Sequence, residues 1–199
     1  MKPLFALLIL LTVTLFAASI LTGPARIDGI TALRALILDG DGPVPIDMQE
    51  IRLPRAVLGF IIGAGLGLTG AAMQGYLRNP LAEPGLIGIS GMAALGAVIA
   101  IQTGLSVIAP LALPAAALIG ATVGAAMLMA LAGPRGGSVT LILAGVAISA
   151  LAGAGTALVL NLSPNPYAAN EIVFWLMGSL ADRSILHVVL ALPPMALGA

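Results

Sequence analysis

Residues 52–90 read RLPRAVLGFIIGAGLGLTGAAMQGYLRNPLAEPGLIGIS, and the reading of this stretch decides the fold. Arg52 and Arg55 flank Pro54, which suits the first position of a helix because its missing N–H would be unpaired there anyway. A helix is therefore expected to start near Pro54. From Ala56 to Met73 no residue is charged, a run close to the minimum of about 17 to 25 residues that a membrane span needs. Gln74, Arg78 and Asn79 return the chain to polar surroundings, and Pro80 and Pro84 stop the helix.

Composition extends this reading to the whole chain. Hydrophobic residues make up 60% of the 199 and charged residues 8%, and mean hydropathy is +1.14, against roughly 25% charged in a soluble domain. The expected fold class is an all-α polytopic membrane protein with about six transmembrane helices. The 25 glycines and 14 prolines are at home in apolar helices, where neighbouring segments re-satisfy the backbone. Formal net charge is zero and there is no cysteine, so neither a nucleic-acid patch nor a disulfide framework is indicated.

The expected spans are 4–22, 55–75, 86–102, 107–132, 139–162 and a partial one at 184–199, within a single transmembrane domain over 1–199. The first run is too long for the apolar region of a signal peptide, about 7 to 15 residues, and is read as a retained helix. Ile27, Ile30, Leu33, Leu36 and Ile37 recur at helical spacing and predict a short amphipathic helix at the interface. Asp39-Gly40-Asp41-Gly42-Pro43 looks calcium-like but lacks the remaining loop ligands, and is read as a turn. Ala112, Ala116, Gly120 and Gly124 recur every four residues and predict close helix packing. Gly145, Ser149, Gly153, Ala157 and Asn161 repeat likewise, with Thr156 beside them; this second stripe is either a packing edge or a pore wall. After Ser163-Pro164-Asn165-Pro166 the chain leaves the membrane. Tyr167, Phe174 and Trp175 fit an aromatic belt, and 171–180 a short interfacial helix.

Two apparent chemical signals carry little. Gly65-Leu66-Gly67-Leu68-Thr69-Gly70 matches a dinucleotide fingerprint by letters, yet that motif needs a strand and an aqueous helix start. His187 is the single histidine, so no pair exists for a metal and no triad can form. Catalytic, cofactor-binding and metal-ligating residues are accordingly not assigned, and no enzymatic activity is expected.

Three sets of residues follow one another in order: Arg52-Leu53-Pro54-Arg55, Gly70-Ala71-Ala72-Met73-Gln74, and Asn79-Pro80-Leu81-Ala82-Glu83-Pro84-Gly85 with Gly88 and Ser90. Together they resemble the FecCD-type permeases, membrane subunits of bacterial ABC importers for iron-siderophores, haem and cobalamin. The resemblance continues through Leu143-Ala144-Gly145-Val146 and Trp175-Leu176-Met177-Gly178. Such permeases run to ten spans, so the resemblance implies that this chain is the N-terminal part of one, a truncation or a fragment. Gln74, Asn79, Pro80, Glu83, Pro84 and Gly85 form the family's motif loop.

The same resemblance implies a multi-pass protein of the bacterial inner membrane, paired with a second permease subunit. Two cytoplasmic ATPase subunits would bind the ATP, so that this chain holds no cofactor of its own, and a periplasmic or lipid-anchored binding protein would deliver the chelate. Arg52 and Arg55 would dock that binding protein, although on their residues alone both could equally anchor the span in lipid headgroups. Gly145, Ser149, Gly153 and Thr156 would line the translocation path, and Ser138 and Val139 would lie near the cytoplasmic gate. The resemblance places the N-terminus inside; that leaves Lys2, Arg78 and Arg135 inside against Arg26, Arg34, Arg52, Arg55 and Arg183 outside, contrary to the positive-inside expectation. Iron-siderophore is the first-choice substrate, with cobalamin or haem as alternatives. An ion-coupled secondary transporter is the competing class, but it would carry ionisable residues within its spans.

Overall fold

The computed structural model describes residues 2–38, 42–109, 111–163, 166–181 and 183–198. Asp39, Gly40 and Asp41 of the calcium-like turn, and Pro164 and Asn165 of the expected membrane exit, lie outside them. Among the described residues every regular element is helical: α1 (Lys2–Leu21), α2 (Gly29–Ile37), α3 (Pro43–Ile46), a π turn (Asp47–Arg52), α4 (Leu53–Leu77), a 3-10 turn (Pro84–Ile87), α5 (Ile89–Gln102), α6 (Leu105–Ile108), α7 (Ala112–Ala132), α8 (Ser138–Asn161), α9 (Pro166–Leu176) and α10 (Ile185–Gly198). By length and composition four helical segments can cross a membrane, namely Lys2–Leu21, Pro43–Leu77, Ala112–Ala132 and Ser138–Asn161, while Ile89–Gln102 and Ile185–Gly198 are shorter apolar helices. The chain divides into two compact units, residues 1–68 with 180–199 and residues 69–179, with the boundary inside α4.

The first unit is built on Ile20, Ala32, Ala35, Met48 and Ala56, with Phe16, Ile27, Leu36, Val44 and Leu53 packed around them. Helix α2 forms where the spacing predicts it, and Asp28 caps it by accepting a hydrogen bond from the Ile30 N–H at 3.2 Å. Its inward face differs from the expected stripe. Ala32 and Ala35 are buried, whereas Ile30, Leu33 and Ile37 are 66, 56 and 82% exposed. The alanines let α2 lie close to its neighbours, and the larger side chains form an outward apolar edge suited to an interfacial helix.

The α-helix α4 begins at Leu53, beside the expected start near Pro54 and within two residues of the expected span 55–75, but it does not rise from open chain. Helical structure runs without interruption from Pro43 to Leu77, 35 residues. A proline inside a helix removes one N–H and crowds the carbonyl four residues back. Here the π turn immediately before Pro54 absorbs that disturbance, with the Leu53 N–H bonded to the Met48 carbonyl five residues earlier. Pro43 is the proline at the start of the whole helical run, and Pro54 stands at the start of its last α-helical part. In the same unit, α10 covers 185–198 of the expected 184–199 and carries Pro193 and Pro194 within it.

The second unit is organised around α5, which packs on both α7 and α8. The small-residue edge of α7 works as the spacing predicts, because a Cβ on Gly120 would strike the Met92 carbonyl and one on Gly96 the Ala116 carbonyl. Each helix thus offers a glycine to the other's backbone, the condition for a close crossing. Two span boundaries move. The third span begins at Ile89 instead of 86, because Gly88 takes a left-handed conformation (φ 74°) that separates the 3-10 turn from α5. The fourth begins at Ala112 instead of 107: α6 ends at Ile108 and Ala109 is extended (φ −135°, ψ 118°), as the residue before a proline tends to be. Helix α8 agrees with the expected 139–162 within a residue. The interfacial helix expected at 171–180 lies earlier, at Pro166–Leu176; Gly178 (φ 75°) follows its end, and fully buried Ile172 anchors it to Val98 and Ile101.

Candidate functional site

In the first unit, Arg52 is the most deeply buried charged side chain among the described residues, 1% exposed. Its Nε donates to Asp47 Oδ2 at 2.7 Å. Nη1 donates to the Leu21 carbonyl at 3.0 Å and lies 3.5 Å from that of Ile20, while Nη2 donates to the Ala25 carbonyl at 2.7 Å. Leu21 and Ile20 close α1, and the last carbonyls of a helix have no intrahelical donor. A cation at that end is favoured by the helix dipole. This accounts for an arginine beside the start of α4, an end where the helix dipole disfavours a cation: its charge serves the end of α1.

Neither partner was legible at the level of residue spacing. Asp47 and Arg52 are five apart, one more than the α-helical reach of three or four, and only the π turn brings them onto one side. Gly23, where a Cβ would lie 2.5 Å from Arg52 Cζ, has no other signal than its place just after an apolar run.

Arg55 has a different environment. It is half-buried, its Nη2 donates to the Thr22 carbonyl at 3.3 Å, and it borders a cleft of about 580 Å³ that Phe16, Ser19 and Phe60 also line. The pair expected to dock a partner therefore separates. Arg52 is turned inward with all three guanidinium nitrogens engaged, and only Arg55 keeps part of its side chain outside.

In the second unit, the motif loop is a folded exit from α4. Arg78 adopts a left-handed conformation (φ 48°), and the Asn79 N–H bonds to the Gln74 carbonyl at 3.2 Å, the six-to-one bond of a Schellman ending. Asn79 Oδ1 then accepts from the Leu81 N–H at 3.0 Å, the side-chain turn for which asparagine is suited. Pro80 follows where a helix cannot continue, and Pro84 starts the 3-10 turn after Glu83. Ala82 is buried at 2%, while Leu81 is 82% exposed.

The stripe on α8 does not face one way. A Cβ on Gly145 would strike the Leu86 carbonyl and come within 2.7 Å of Ile87 Cα, so Gly145 is the seat of the 3-10 turn and is removed from the expected path lining. Gly153 has open space where its Cβ would be. Residues four apart on a helix drift by roughly 40°, so two such steps carry the stripe from a packed face to an open one. Ser149 and Thr156 are intermediate in exposure. The face of α8 that packs on α5 and α7 consists of Ala144, Ile148 and Ala152, with Gly155 accommodating Leu95. Ser138 and Val139, expected near the gate, begin α8 and are both exposed.

A model of the FecCD transport family matches residues 9–199. The cobalamin import system permease protein BtuC of Halobacterium salinarum is 41% identical over 151 residues, 74% of this chain and 40% of that protein. The achromobactin transport system permease protein CbrC of Dickeya dadantii is 35% identical over 180 residues, 90% of this chain and 51% of that one. A solved inward-facing conformation of a metal-chelate type ABC transporter superposes with a TM-score of 0.78 at 29% identity, covering 98% of this chain and 58% of the other. The chain thus spans about half the length of the relatives it matches. With nearly its whole length matched and the arginine, glycine-rich and proline-loop motifs present in order, the chain belongs to the FecCD transport family of permeases.

Proposed function

We propose that this chain forms part of the transmembrane permease subunit of a binding-protein-dependent ABC importer, which carries an iron(III)-siderophore or a similar metal chelate into the bacterial cytoplasm. The family membership carries the reading, supported by relatives named for achromobactin and iron(3+)-hydroxamate import. Cobalamin is the alternative cargo, since other relatives are named for its import. In this reading the subunit sits in the inner membrane beside a second permease, identical or related, and two cytoplasmic subunits hydrolyse ATP.

A periplasmic binding protein docks over Arg55, whose partly exposed guanidinium suits a carboxylate on the partner. The chelate passes along the open side of α8, where Ser149, Gly153 and Thr156 present small side chains, and the start of α8 at Ser138 and Val139 lies at the inner gate. Small, uncharged walls let a preformed chelate slide without being gripped. Helices α5, α7 and α8 carry no Asp, Glu, Lys or Arg, whereas an ion-coupled carrier would be expected to place ionisable groups there.

The test is uptake into proteoliposomes holding the full-length permease, its ATPase and its binding protein. Uptake of labelled ferric siderophore that requires ATP and the binding protein is the expected result. Transport that persists without the ATPase and follows an ion gradient overturns the proposal, and ATP-dependent uptake of cobalamin alone replaces the cargo.

A further inference from the structure

We propose that the second unit binds an anionic phospholipid at the end that carries Arg78 and Arg135, with an acyl chain in the cleft between α4, α7 and α8 and the phosphate on the two arginines. The cleft encloses about 440 Å³, within the range of ~300–1,000 Å³ that small-ligand sites occupy. Its walls are Tyr76 of α4, Leu128 and Met129 of α7, and Leu141 of α8. Leu128 is buried, whereas Tyr76 and Met129 are exposed. Gly133, in the turn that leaves α7, has open space where a Cβ would stand, so that turn sends no side chain into the cleft. An apolar hollow at the ends of membrane helices is a place where hydrocarbon can enter without displacing any protein contact.

Charge selects the occupant. The second unit contains four charged residues, Arg78, Glu83, Arg135 and Glu171. Both cations stand at the cleft: Arg135 lies between Pro134 and Gly136, which border it, and Arg78 is two residues beyond Tyr76. Both are exposed, and among the described residues neither is paired with a carboxylate. Glu83 shares this end of the unit and offsets one of the two charges, while Glu171 is on α9, past the far end of α8. A net cation beside an apolar cleft between membrane helices is the arrangement that takes an anionic headgroup. Guanidinium groups hold phosphate through forked donors, and Tyr76 places a phenol where aromatic residues meet headgroups. A soluble anion would leave the apolar walls unused, and a zwitterionic lipid would bring no net charge to the arginines. The site is remote from α9 and depends on neither the cargo nor the docking reading.

The experiment counts retained lipid. Full-length permease in a neutral detergent is mixed with equimolar phosphatidylglycerol and phosphatidylcholine of the same acyl chains, and the bound lipids are read by native mass spectrometry. A basic residue near an anionic headgroup contributes about fivefold in affinity, so the wild type should prefer phosphatidylglycerol by about 25-fold. The double variant Arg78→Gln with Arg135→Gln should lose that preference and retain both lipids equally. Ala132→Phe and, separately, Met129→Trp keep both charges and fill the cleft, and each should lose most of the retained phosphatidylglycerol. Glycerol phosphate, which carries the charge without a chain, should not displace phosphatidylglycerol at equal concentration.

Equal retention of the two lipids by the wild type, or a preference that survives loss of both arginines, overturns the proposal. Unchanged retention in both cleft-filling variants means that other segments of the permease cover the cleft, and overturns it as well. Displacement by glycerol phosphate assigns the arginines to a soluble anion and rejects the lipid. Arg78 and Arg135 are exposed, so their double variant decides the question even where a bulky side chain in the cleft prevents insertion. Lipid retention is read without transport, so a permease with another cargo or another energy source gives the same answer here, and failure of the importer reading stays distinguishable from failure of this one.

Discussion

Gly23 and Arg52 occupy complementary space: the guanidinium of Arg52 lies 2.5 to 2.7 Å from the position where a Cβ on residue 23 would stand. The glycine follows the end of α1, and the arginine supplies the donors that the end of α1 lacks. Removing those donors leaves Asp47 and several main-chain carbonyls without their partner. Breaking a buried ion pair from one side costs about 3 to 5 kcal/mol, and Asp47, 19% exposed, places the expected loss at the lower end. Arg52→Ala should therefore lower the thermal unfolding temperature of the detergent-solubilised full-length permease clearly more than Arg55→Ala. Equal effects would contradict the burial of Arg52.

The two glycines at the ends of the α8 stripe should answer differently to the same added methyl group. Gly145→Ala drives a Cβ into the Leu86 carbonyl, and overpacking of this kind costs about 1 to 3 kcal/mol. Gly153→Ala meets open space and also gains roughly 0.5 to 1 kcal/mol of helix preference, so it should be neutral or slightly stabilising. Thermal unfolding of the two variants side by side is the check.

The crossing of α5 and α7 predicts a reciprocal pair. Gly96 and Gly120 each face the other helix's backbone, which cannot move aside as a side-chain tip can. Gly96→Val and Gly120→Val should each lose about 1 to 3 kcal/mol or more, and the double variant should lose less than the sum, because one separation of the helices relieves both clashes. Additive losses, read from unfolding in detergent, would show that the two contacts open independently.

Accessibility along α8 should follow the same drift of faces. The chain has no cysteine, so single cysteines report without background. Gly153→Cys in the full-length transporter should react with a membrane-impermeant thiol reagent and Gly145→Cys should stay protected; on the proposed importer function, Ser149→Cys should change its rate when an ATP analogue is bound to the importer's ATPase subunits. A Ser149 cysteine that is inert in every state, with Gly153 also unreactive, assigns the whole stripe to packing.

Much of the architecture was determined by the sequence alone, because membrane helices announce themselves through uninterrupted apolar length. The spans at 4–22 and 139–162 agree with α1 and α8 within two residues, and the four-residue spacing from Ala112 to Gly124 identified a real contact edge, since helical periodicity maps spacing directly onto a face. Asn79 and Pro80 likewise marked a helix exit through local chemistry. What only the tertiary structure decided are features set by neighbours distant in the chain or by departures from α geometry. Pro54 marks the start of α4 as expected, but the π turn from Asp47 to Arg52 joins that start to further helix on its N-terminal side. That same turn pairs Asp47 with Arg52 at a separation α-helical spacing does not predict. Whether Arg52 faces outward or inward depends on the carbonyls of Leu21 and Ala25, about thirty positions away, and whether a glycine of α8 is packed or open depends on where the turn at Pro84–Ile87 comes to rest. Local sequence specifies which backbone groups will lack partners; only the fold brings a donor from elsewhere in the chain to meet them.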